Sequence, residues 1–472
     1  MDSKKHLKNR AFKKGTYSVG MMFAVLAIIV IINMIVRALP ATITKIDFSV
    51  NKLYTLTDTT TDYLKSLDKD VKLYLIASIG EENESLYNML EKYAGWSSHV
   101  SVEQIDPKVN PNFVMQYTSE LLEANSVIVV SGDRFKIVDY SSFSTPVFDF
   151  DLMQYVQGFD GEGQITSAIN YVVREDLPKM YLLTGHNESE YGEDFAALVN
   201  KANVVTDKLS LLEAEAVPAD CDVLLVNIPT VDFSPEEKDK IIDYVDKGGA
   251  LFLVTANSGE DLENLNIVLE YYGLELQRGT VIETNSKHYL NKVNTNLVPS
   301  RASHKITNSL ITKGISVFLP NAQGIAVRDD ARSSLNITKL LKMSEDSYVR
   351  VGTSQLLAMQ EDDIPGPVTI GVVIEEEING ADAKLAVFSS PNLFNKSCNT
   401  VVSGGNYELA VNTITWMSEL EDNISISPKS TTLQYLTVTQ ADFYKWMIIL
   451  VGAIPLAFIG AGFVVWFVRR RK

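Results

Sequence analysis

The sequence predicts an α/β protein that two transmembrane helices anchor in a membrane. One observation predicts the anchors: residues 17–36 and 446–468 are both uncharged and rich in large apolar side chains. A second predicts the α/β class, because short apolar segments of strand length alternate with helical patterns between these two runs. The order of strands and helices favours an ectodomain with a thioredoxin-like or similar small α/β unit and a doubly wound parallel sheet.

Each apolar run is long enough to cross a bilayer, since about 20 helical residues span a hydrocarbon core of about 30 Å. Six Lys or Arg residues lie within residues 1–14, and the chain ends in Arg-Arg-Arg-Lys. Because basic flanks tend to stay in the cytoplasm, both tails (1–16 and 469–472) are expected there and the large middle region outside. A cleavable signal peptide is the alternative for residues 17–36, although no clear small-x-small cleavage site follows them.

The membrane-proximal domain is expected over residues 37–175, as a β-α-β unit followed by a hairpin and a helix. Its predicted strands cover 71–78 and 100–105, its hairpin 126–138, and its helices 57–67, 84–93 and 160–175. The last helix carries an apolar face made of Ile165, Ala168, Ile169 and Val172. The chain contains no CxxC pair, which excludes thiol–disulfide chemistry in this domain.

The second domain is expected over residues 176–430 and is built on a parallel sheet. Its first predicted strands cover 180–183, 221–228 and 250–255. Ser234-Pro235-Glu236-Glu237 has the pattern of a helix start with a capping box, and Gly248-Gly249 ends that helix. Further strands are expected at 315–319, 368–375 and 384–390 and a helix at 408–420, continuing or flanking the same sheet.

Several short strings occur in an order that resembles one protein family. They are Asn51–Leu56, Gln104–Pro107, Leu183–Glu188, Asp222–Val226 ahead of Gly248-Gly249, Asn412–Trp416, and a final span followed by Arg-Arg-Arg. This order is similar to that of the gliding-motility-type ABC-transporter auxiliary proteins (Gld family), an uncharacterised component of ABC-type transport systems. The resemblance covers nearly the whole ectodomain and both spans. It implies a membrane-anchored partner of an ABC permease and ATPase, whose middle domain has the glutamine-amidotransferase fold without its chemistry.

Four common catalytic and nucleotide-binding motifs are absent from the sequence. There is no GxxxxGK[ST] loop, GxSxG, HExxH or dinucleotide fingerprint. Cys221 opens a predicted strand and Cys398 lies in a predicted loop, so neither occupies the turn after a central strand where an amidotransferase nucleophile should sit. With 42 basic and 59 acidic residues, the net charge of −17 argues against a nucleic-acid partner.

The sequence therefore predicts a non-enzymatic, extracytoplasmic auxiliary subunit of an ABC-type transport system in a bacterial plasma membrane. Its expected partners are the permease, the ATPase and the lipid bilayer, and no cofactor or metal is expected. The ectodomain is expected to bind substrate or a surface partner. Two alternatives remain: an ectoenzyme acting on a cell-envelope polymer, against which the missing motifs count, and a purely structural membrane scaffold.

A ligand, if one binds, is expected beyond the carboxyl ends of the parallel strands, where adjacent loops diverge and leave a crevice. The loops expected there carry hydrogen-bonding groups on His186, Asn187, Glu188, Thr230, Asp232, Asn257 and Ser258. The excess of negative charge favours a polyhydroxylated or cationic ligand over a phosphate. The alternative is that these polar side chains only solvate loops and cap helices.

Overall fold

The computed structural model is a mixed α/β protein. It describes residues 21–34, 47, 51–149, 152, 154–257, 261–352, 356–378, 380–419, 426–432 and 440–470. Over these residues the strands form one sheet of four strands, one of ten and two of three. The expected α/β class is therefore confirmed.

The strands are β1 Val71–Ile76, β2 Val100–Ile105, β3 Ser126–Ser131, β4 Arg134–Val138, β5 Ser144–Asp149, β6 Gln154–Phe159, β7 Lys179–Leu183, β8 Val205–Leu209, β9 Val223–Asn227, β10 Ala250–Val254, β11 Leu274–Gln277, β12 Thr280–Ile282, β13 Ser300–Arg301, β14 Gly324–Val327, β15 Asn336–Lys342, β16 Tyr348–Arg350, β17 Ile364–Pro365, β18 Thr369–Ile378, β19 Ala381–Phe388 and β20 Lys429–Ser430. The helices are α1 Met21–Met34, α2 Asp58–Ser66, α3 Glu84–Trp96, α4 Pro111–Val114, α5 Gly161–Val173, α6 Glu193–Lys201, α7 Pro235–Asp246, α8 Glu263–Tyr271, α9 Asn308–Lys313, α10 Lys396–Val401, α11 Gly405–Met417 and α12 Gln440–Arg470.

The membrane-proximal unit is built on the four-stranded sheet, in the order β2-β1-β3-β4. Strands β1 and β2 are parallel, while β3 and β4 form an antiparallel hairpin beside β1. Residues of α2, α3 and α5 pack with one face of this sheet in a single apolar core. The predicted apolar face of α5 lies in that core, because Ile165, Ala168, Ile169 and Val172 are all buried.

The second unit is built on the ten-stranded sheet, whose parallel part runs β8-β7-β9-β10-β19. The predicted parallel strands at 180–183, 221–228 and 250–255 are confirmed as β7, β9 and β10. Antiparallel strands then extend the sheet, beginning with β18 on β19. Apolar cores cover both faces, as expected for strands such as β9 and β10 that are buried throughout.

One predicted strand is wrong. Residues 315–319 form an irregular segment between α9 and β14. The backbone of Phe318 is paired with a side chain instead of a strand: its N–H donates to Asn406 Oδ1 (2.9 Å), and its carbonyl accepts from Asn406 Nδ2 (2.7 Å). A buried asparagine on α11 therefore satisfies the groups that a neighbouring strand would otherwise take.

Among the described residues, α12 is the helix long and apolar enough to cross a membrane. It contains the predicted span 446–468 but begins earlier, at Gln440, and continues to Arg470, which the sequence analysis places in the cytoplasmic tail. A π-helical turn at Ile448–Ala453 precedes Pro455, whose missing N–H cannot continue the regular ladder. Helix α1 is shorter, and the tail 1–16 and the remainder of 17–36 lie outside the described residues.

A small antiparallel sheet joins residues 429–430, near the end of the large domain, to the membrane-proximal unit. Strand β20 pairs with β6, which pairs with β5, so that Lys429 lies opposite Phe159. The sequence predicts that residues 429–430 belong to the second domain, whereas the strand partners of β20 belong to the membrane-proximal unit. The reason is non-local pairing across most of the chain, which local sequence patterns do not carry.

Candidate functional site

The carboxyl ends of β7, β9 and β10 lie at one edge of the ten-stranded sheet. The strands are in register, with Leu182 opposite Leu225 and Asn227 opposite Val254. The loops that follow them are therefore neighbours, and the described residues that were predicted to bind a ligand lie in these loops.

His186 is the centre of this edge, and it is buried: only 3% of its surface is exposed. Its Nδ1 lies 3.1 Å from Glu188 Oε1, and its Nε2 lies 3.2 Å from Glu237 Oε2. The ring also meets the Phe233 ring edge-on, with centroids 4.9 Å apart. Both ring nitrogens are thus engaged by carboxylates, which leaves neither free for a substrate.

Local backbone geometry places this histidine. Gly185 has φ +123°, a conformation that side chains other than hydrogen rarely allow, and Asn187 has φ +56°. These two residues turn the chain so that the backbone N–H of His186 donates to Glu188 Oε2 at 2.8 Å. One glutamate therefore holds both the backbone and the ring of His186.

Glu237 comes from the capping box of α7, which the sequence analysis predicts and the structure confirms. Its Oε2 accepts from the Ser234 backbone N–H at 2.9 Å, and the same oxygen meets His186. The sequence pattern identifies the cap but not the histidine partner 51 positions away. The helix start and the β7 loop are consequently joined through one buried carboxylate.

The charges of this cluster stabilise one another. Burial alone would lower the pKa of His186, but the hydrogen bond to Glu188 and the nearby Glu237 carboxylate outweigh it and raise the pKa. Burial likewise opposes ionisation of Glu188, but the hydrogen bonds from His186 lower its pKa. A histidine whose two ring nitrogens both meet buried carboxylates has a structural arrangement. It does not supply a free base or a nucleophile activator.

The other predicted site residues have separate roles at this edge. The Thr230 N–H donates to the His186 carbonyl (2.9 Å), and the Asp232 carboxylate accepts from the Asn264 and Leu265 N–H groups at the start of α8 (2.8 and 3.1 Å). The Asn257 amide donates to the Gly279 carbonyl at 3.2 Å. Asn187 and Thr230 are exposed, and Ser258 lies outside the described residues. Ligand binding by this set stays a prediction.

Two buried polar residues at the ends of β9 and β10, Asn227 and Thr255, were not predicted as site residues from the sequence. Asn227 donates from Nδ2 to the Ser189 carbonyl at 2.5 Å, while its Oδ1 has no hydrogen-bond partner in the described part of the chain. Thr255 Oγ1 and Glu237 Oε1 are likewise buried and unpartnered there. The sequence pattern that could have identified them is a polar residue at the end of an apolar run: Asn227 ends VLLVN, and Thr255 ends ALFLVT.

Neither cysteine has the surroundings of a nucleophile. Burial raises the pKa of Cys221 to about 11, and its thiol lies 3.4 Å from the Tyr244 hydroxyl. Burial also raises the pKa of Cys398. A thiol is reactive as the thiolate, and both environments oppose that form. In the described part of the chain, no group of three or more His, Cys, Asp or Glu side chains is arranged to hold a metal ion.

Two family models match parts of the chain. Residues 50–143 match a domain of unknown function (DUF7088), and residues 193–359 match the IFT52 GIFT domain. No curated protein matches the chain significantly.

Solved structures show only distant similarity. The N-terminal domain of mmIFT52 is 15% identical with a TM-score of 0.38, covering 51% of this chain and 96% of that chain. A cytoplasmic protein from Salmonella typhimurium is 14% identical with a TM-score of 0.30, covering 51% and 98%. PurLQS from Thermotoga maritima is 10% identical with a TM-score of 0.27, covering 51% and 99%. Similarity at this level carries no argument about function.

Proposed function

We propose that this chain is a non-enzymatic auxiliary subunit of an ABC-type transport system in a bacterial plasma membrane. Two spans hold it there, with both termini in the cytoplasm and the large domain outside. The ectodomain combines a thioredoxin-like unit with an amidotransferase-like sheet, docks on the permease and binds substrate or a surface partner. ATP hydrolysis is supplied by a separate subunit.

The observation that carries this proposal is a buried junction at Glu162, between the two ends of the ectodomain. Its Oε1 accepts from the Thr57 N–H (2.6 Å) and the Thr57 and Thr60 hydroxyls (2.7 and 2.6 Å). Its Oε2 accepts from Lys429 Nζ at 2.9 Å. Thr57 follows the first apolar segment along the chain, and Lys429 precedes α12. The first and last described parts of the large domain therefore both form hydrogen bonds with one side chain, that of Glu162.

The ion pair at this junction is largely shielded from solvent, and its charges stabilise each other. The Glu162 side chain is 4% exposed and that of Lys429 is 18% exposed. Burial opposes ionisation of Glu162, but the hydrogen bonds from Lys429 and from the two threonines lower its pKa. The Asn51 amide also donates to the Ser430 carbonyl at 2.7 Å. A junction that holds both ends of the large domain on one side chain suits a docked subunit better than a tethered enzyme.

The side chains that carry the family resemblance mostly make structural contacts. The Gln104 amide donates to the carbonyls of Ala77 and Ser78, and the Asp106 carboxylate accepts from the Lys108 N–H at 2.8 Å. The Asn412 amide donates to the Ile306 carbonyl at 2.9 Å. These contacts support a shared scaffold, and together with the engaged His186 they count against the ectoenzyme alternative.

Purification of the full chain in mild detergent, with identification of the co-eluting chains, tests this function. The proposal predicts a multi-span permease and a subunit with a phosphate-binding loop in stable ratio to the chain. The purified chain alone should show no ATPase activity. Elution as a single species without these partners from its native membrane contradicts the proposal, as does hydrolysis of an envelope polymer by the purified chain.

A further inference from the structure

A cavity of about 540 Å³ lies where the two units of the ectodomain meet. Strand β4, an edge of the four-stranded sheet, forms one wall, and strand β8, an edge of the ten-stranded sheet, forms another. Helices α5 and α6 supply further side chains, and Tyr191, Asn203 and Val204 come from the loops on either side of α6. The volume lies in the range of about 300–1,000 Å³ that small-molecule sites occupy. This cavity is separate from the His186 edge.

Aromatic and polar side chains line the cavity. Phe135, Tyr171 and Tyr191 provide aromatic surface, and Asn200, Asn203 and Thr206 provide hydrogen-bonding groups. Burial raises the pKa of Tyr191, so its hydroxyl stays protonated. None of the lining residues carries a carboxylate, although the chain has 59 acidic residues.

Lys136 is the cation of this lining, and its partners are neutral. Its Nζ donates to Asn203 Oδ1 (2.7 Å) and to the Asn200 carbonyl (3.3 Å), and it lies 4.8 Å from the centroid of the Tyr171 ring. Arg134 lies over the same ring at 5.0 Å, which adds a second positive charge nearby. Burial lowers the pKa of Lys136 to about 8.

Several other shielded lysines meet carboxylates, whereas Lys240 donates to the carbonyls of Leu211 and Ala214, both at 2.8 Å. Lys201 pairs with Asp160 at 2.6 Å, Lys384 with Glu419 at 2.8 Å, and Lys429 with Glu162 at 2.9 Å. Shielded ammonium groups are normally paired, because desolvation without a counter-charge is costly. An ammonium has three N–H donors, and the two oxygen acceptors at Lys136 use only two of them.

We propose that this cavity binds a small organic anion with an aromatic or apolar body. Its carboxylate or sulfonate completes the hydrogen bonding of Lys136, and its body packs against Tyr171 and Tyr191. The positive lining and the absence of carboxylates select against cations, in contrast to the acidic loops of the His186 edge. This inference does not depend on the proposed transport function.

Trinitrobenzenesulfonate is a suitable probe of the full chain, because it is aromatic, anionic and reactive with neutral amines. The Lys136 nitrogen attacks the ring carbon that bears the sulfonate, a C–N bond forms, sulfite leaves with the C–S bonding electrons, and the amine releases a proton. Site-resolved mass spectrometry compares the rate at Lys136 with that at exposed Lys72. The proposal predicts labelling of Lys136 at least about tenfold faster at neutral pH, because burial lowers the pKa of Lys136 to about 8 and leaves part of its amine neutral.

Protection of Lys136 from labelling by an added compound distinguishes anion binding in the cavity from simple access of the reagent. Phenylbutyrate should slow labelling of Lys136 at least fivefold, whereas phenylbutanol, with the same body and no charge, should have little effect at the same concentration. Calorimetric titration of phenylbutyrate should show binding to the wild-type chain and to Lys136→Arg, and at least tenfold weaker binding to Lys136→Met. Ala196→Trp, at an exposed position on the cavity wall, should block binding without disturbing the core.

Equal protection by both compounds overturns the proposal, because the site would then recognise only an apolar body. Labelling of Lys136 no faster than Lys72, or unchanged phenylbutyrate affinity in folded Ala196→Trp and Lys136→Met variants, also overturns it.

Discussion

Replacing Glu162 by glutamine is the sharpest test of the junction that joins the two ends of the large domain. The glutamine side chain keeps the size of the glutamate, but an amide cannot offer two acceptor oxygens. One of its ends must therefore present N–H groups either to Lys429 Nζ or to the hydroxyls of Thr57 and Thr60. In either orientation a buried donor loses its acceptor, and Lys429 loses its counter-charge.

The expected loss of stability follows from the burial of the pair. Removing one partner of a buried ion pair typically costs about 3–5 kcal/mol. Because Lys429 keeps 18% of its side chain exposed and can recover some hydration, we expect the lower end, about 3 kcal/mol. For a unit of about 150–250 residues, this corresponds to a fall in Tm of roughly 6–12 °C.

The assay is unfolding of the full chain in lipid nanodiscs, followed by circular dichroism and by hydrogen exchange of the peptide that contains Lys429. Lys65→Met is the matched control, because its pair with Asp62 is largely exposed and should contribute less than about 1 kcal/mol. The double variant Glu162→Leu with Lys429→Met should recover part of the loss, since no buried charge is left unpaired. A Tm change for Glu162→Gln no larger than that of Lys65→Met would refute the reasoning.

Two further predictions concern the second unit. The raised pKa of His186 means that its ion contacts contribute fully below its ordinary pKa of 6.5 and are lost as pH rises through the higher folded value. The unfolding free-energy difference between wild type and His186→Gln should therefore shrink above about pH 6.5, and a difference independent of pH would contradict this. Gly249→Ala should cost about 1–3 kcal/mol, because the added methyl group would overlap the Tyr244 ring, whereas Gly192→Ala, which meets only Asp194 at 3.4 Å, should be nearly neutral. Equal denaturant midpoints for the two alanine variants would show that the Tyr244 ring moves aside.

The sequence predicts those parts of the fold that depend on local patterns. Continuous apolar runs such as ALFLV identify β10 as a buried parallel strand, and the string Ser-Pro-Glu-Glu identifies the start of α7. Residues 315–319 are equally apolar but form no strand, because Asn406, 88 positions away from Phe318, pairs with its backbone. The apolar pattern reports burial of that segment and not the source of its hydrogen bonds.

For the candidate sites too, local sequence patterns predict individual residues but not their long-range partners. His186 is recognisable as a histidine on a loop after a strand, but its engagement by Glu237 depends on how α7 packs beside β7. Glu162 is an ordinary acidic residue in an amphipathic helix until Lys429, 267 positions later, is placed beside it. The Lys136 cavity exists only because two sheet edges from separate units meet, which no local pattern encodes.

Photo-crosslinking from α12 in intact cells tests the proposed membrane docking most directly. A benzophenone side chain placed at Phe458 or Phe463, which are both exposed along α12, would capture whatever packs against this helix in the bilayer. The account predicts a covalent adduct with a multi-span permease that co-purifies with an ATPase bearing a phosphate-binding loop. Adducts with lipid alone at every position along α12, from cells in which the chain is fully inserted, would contradict it.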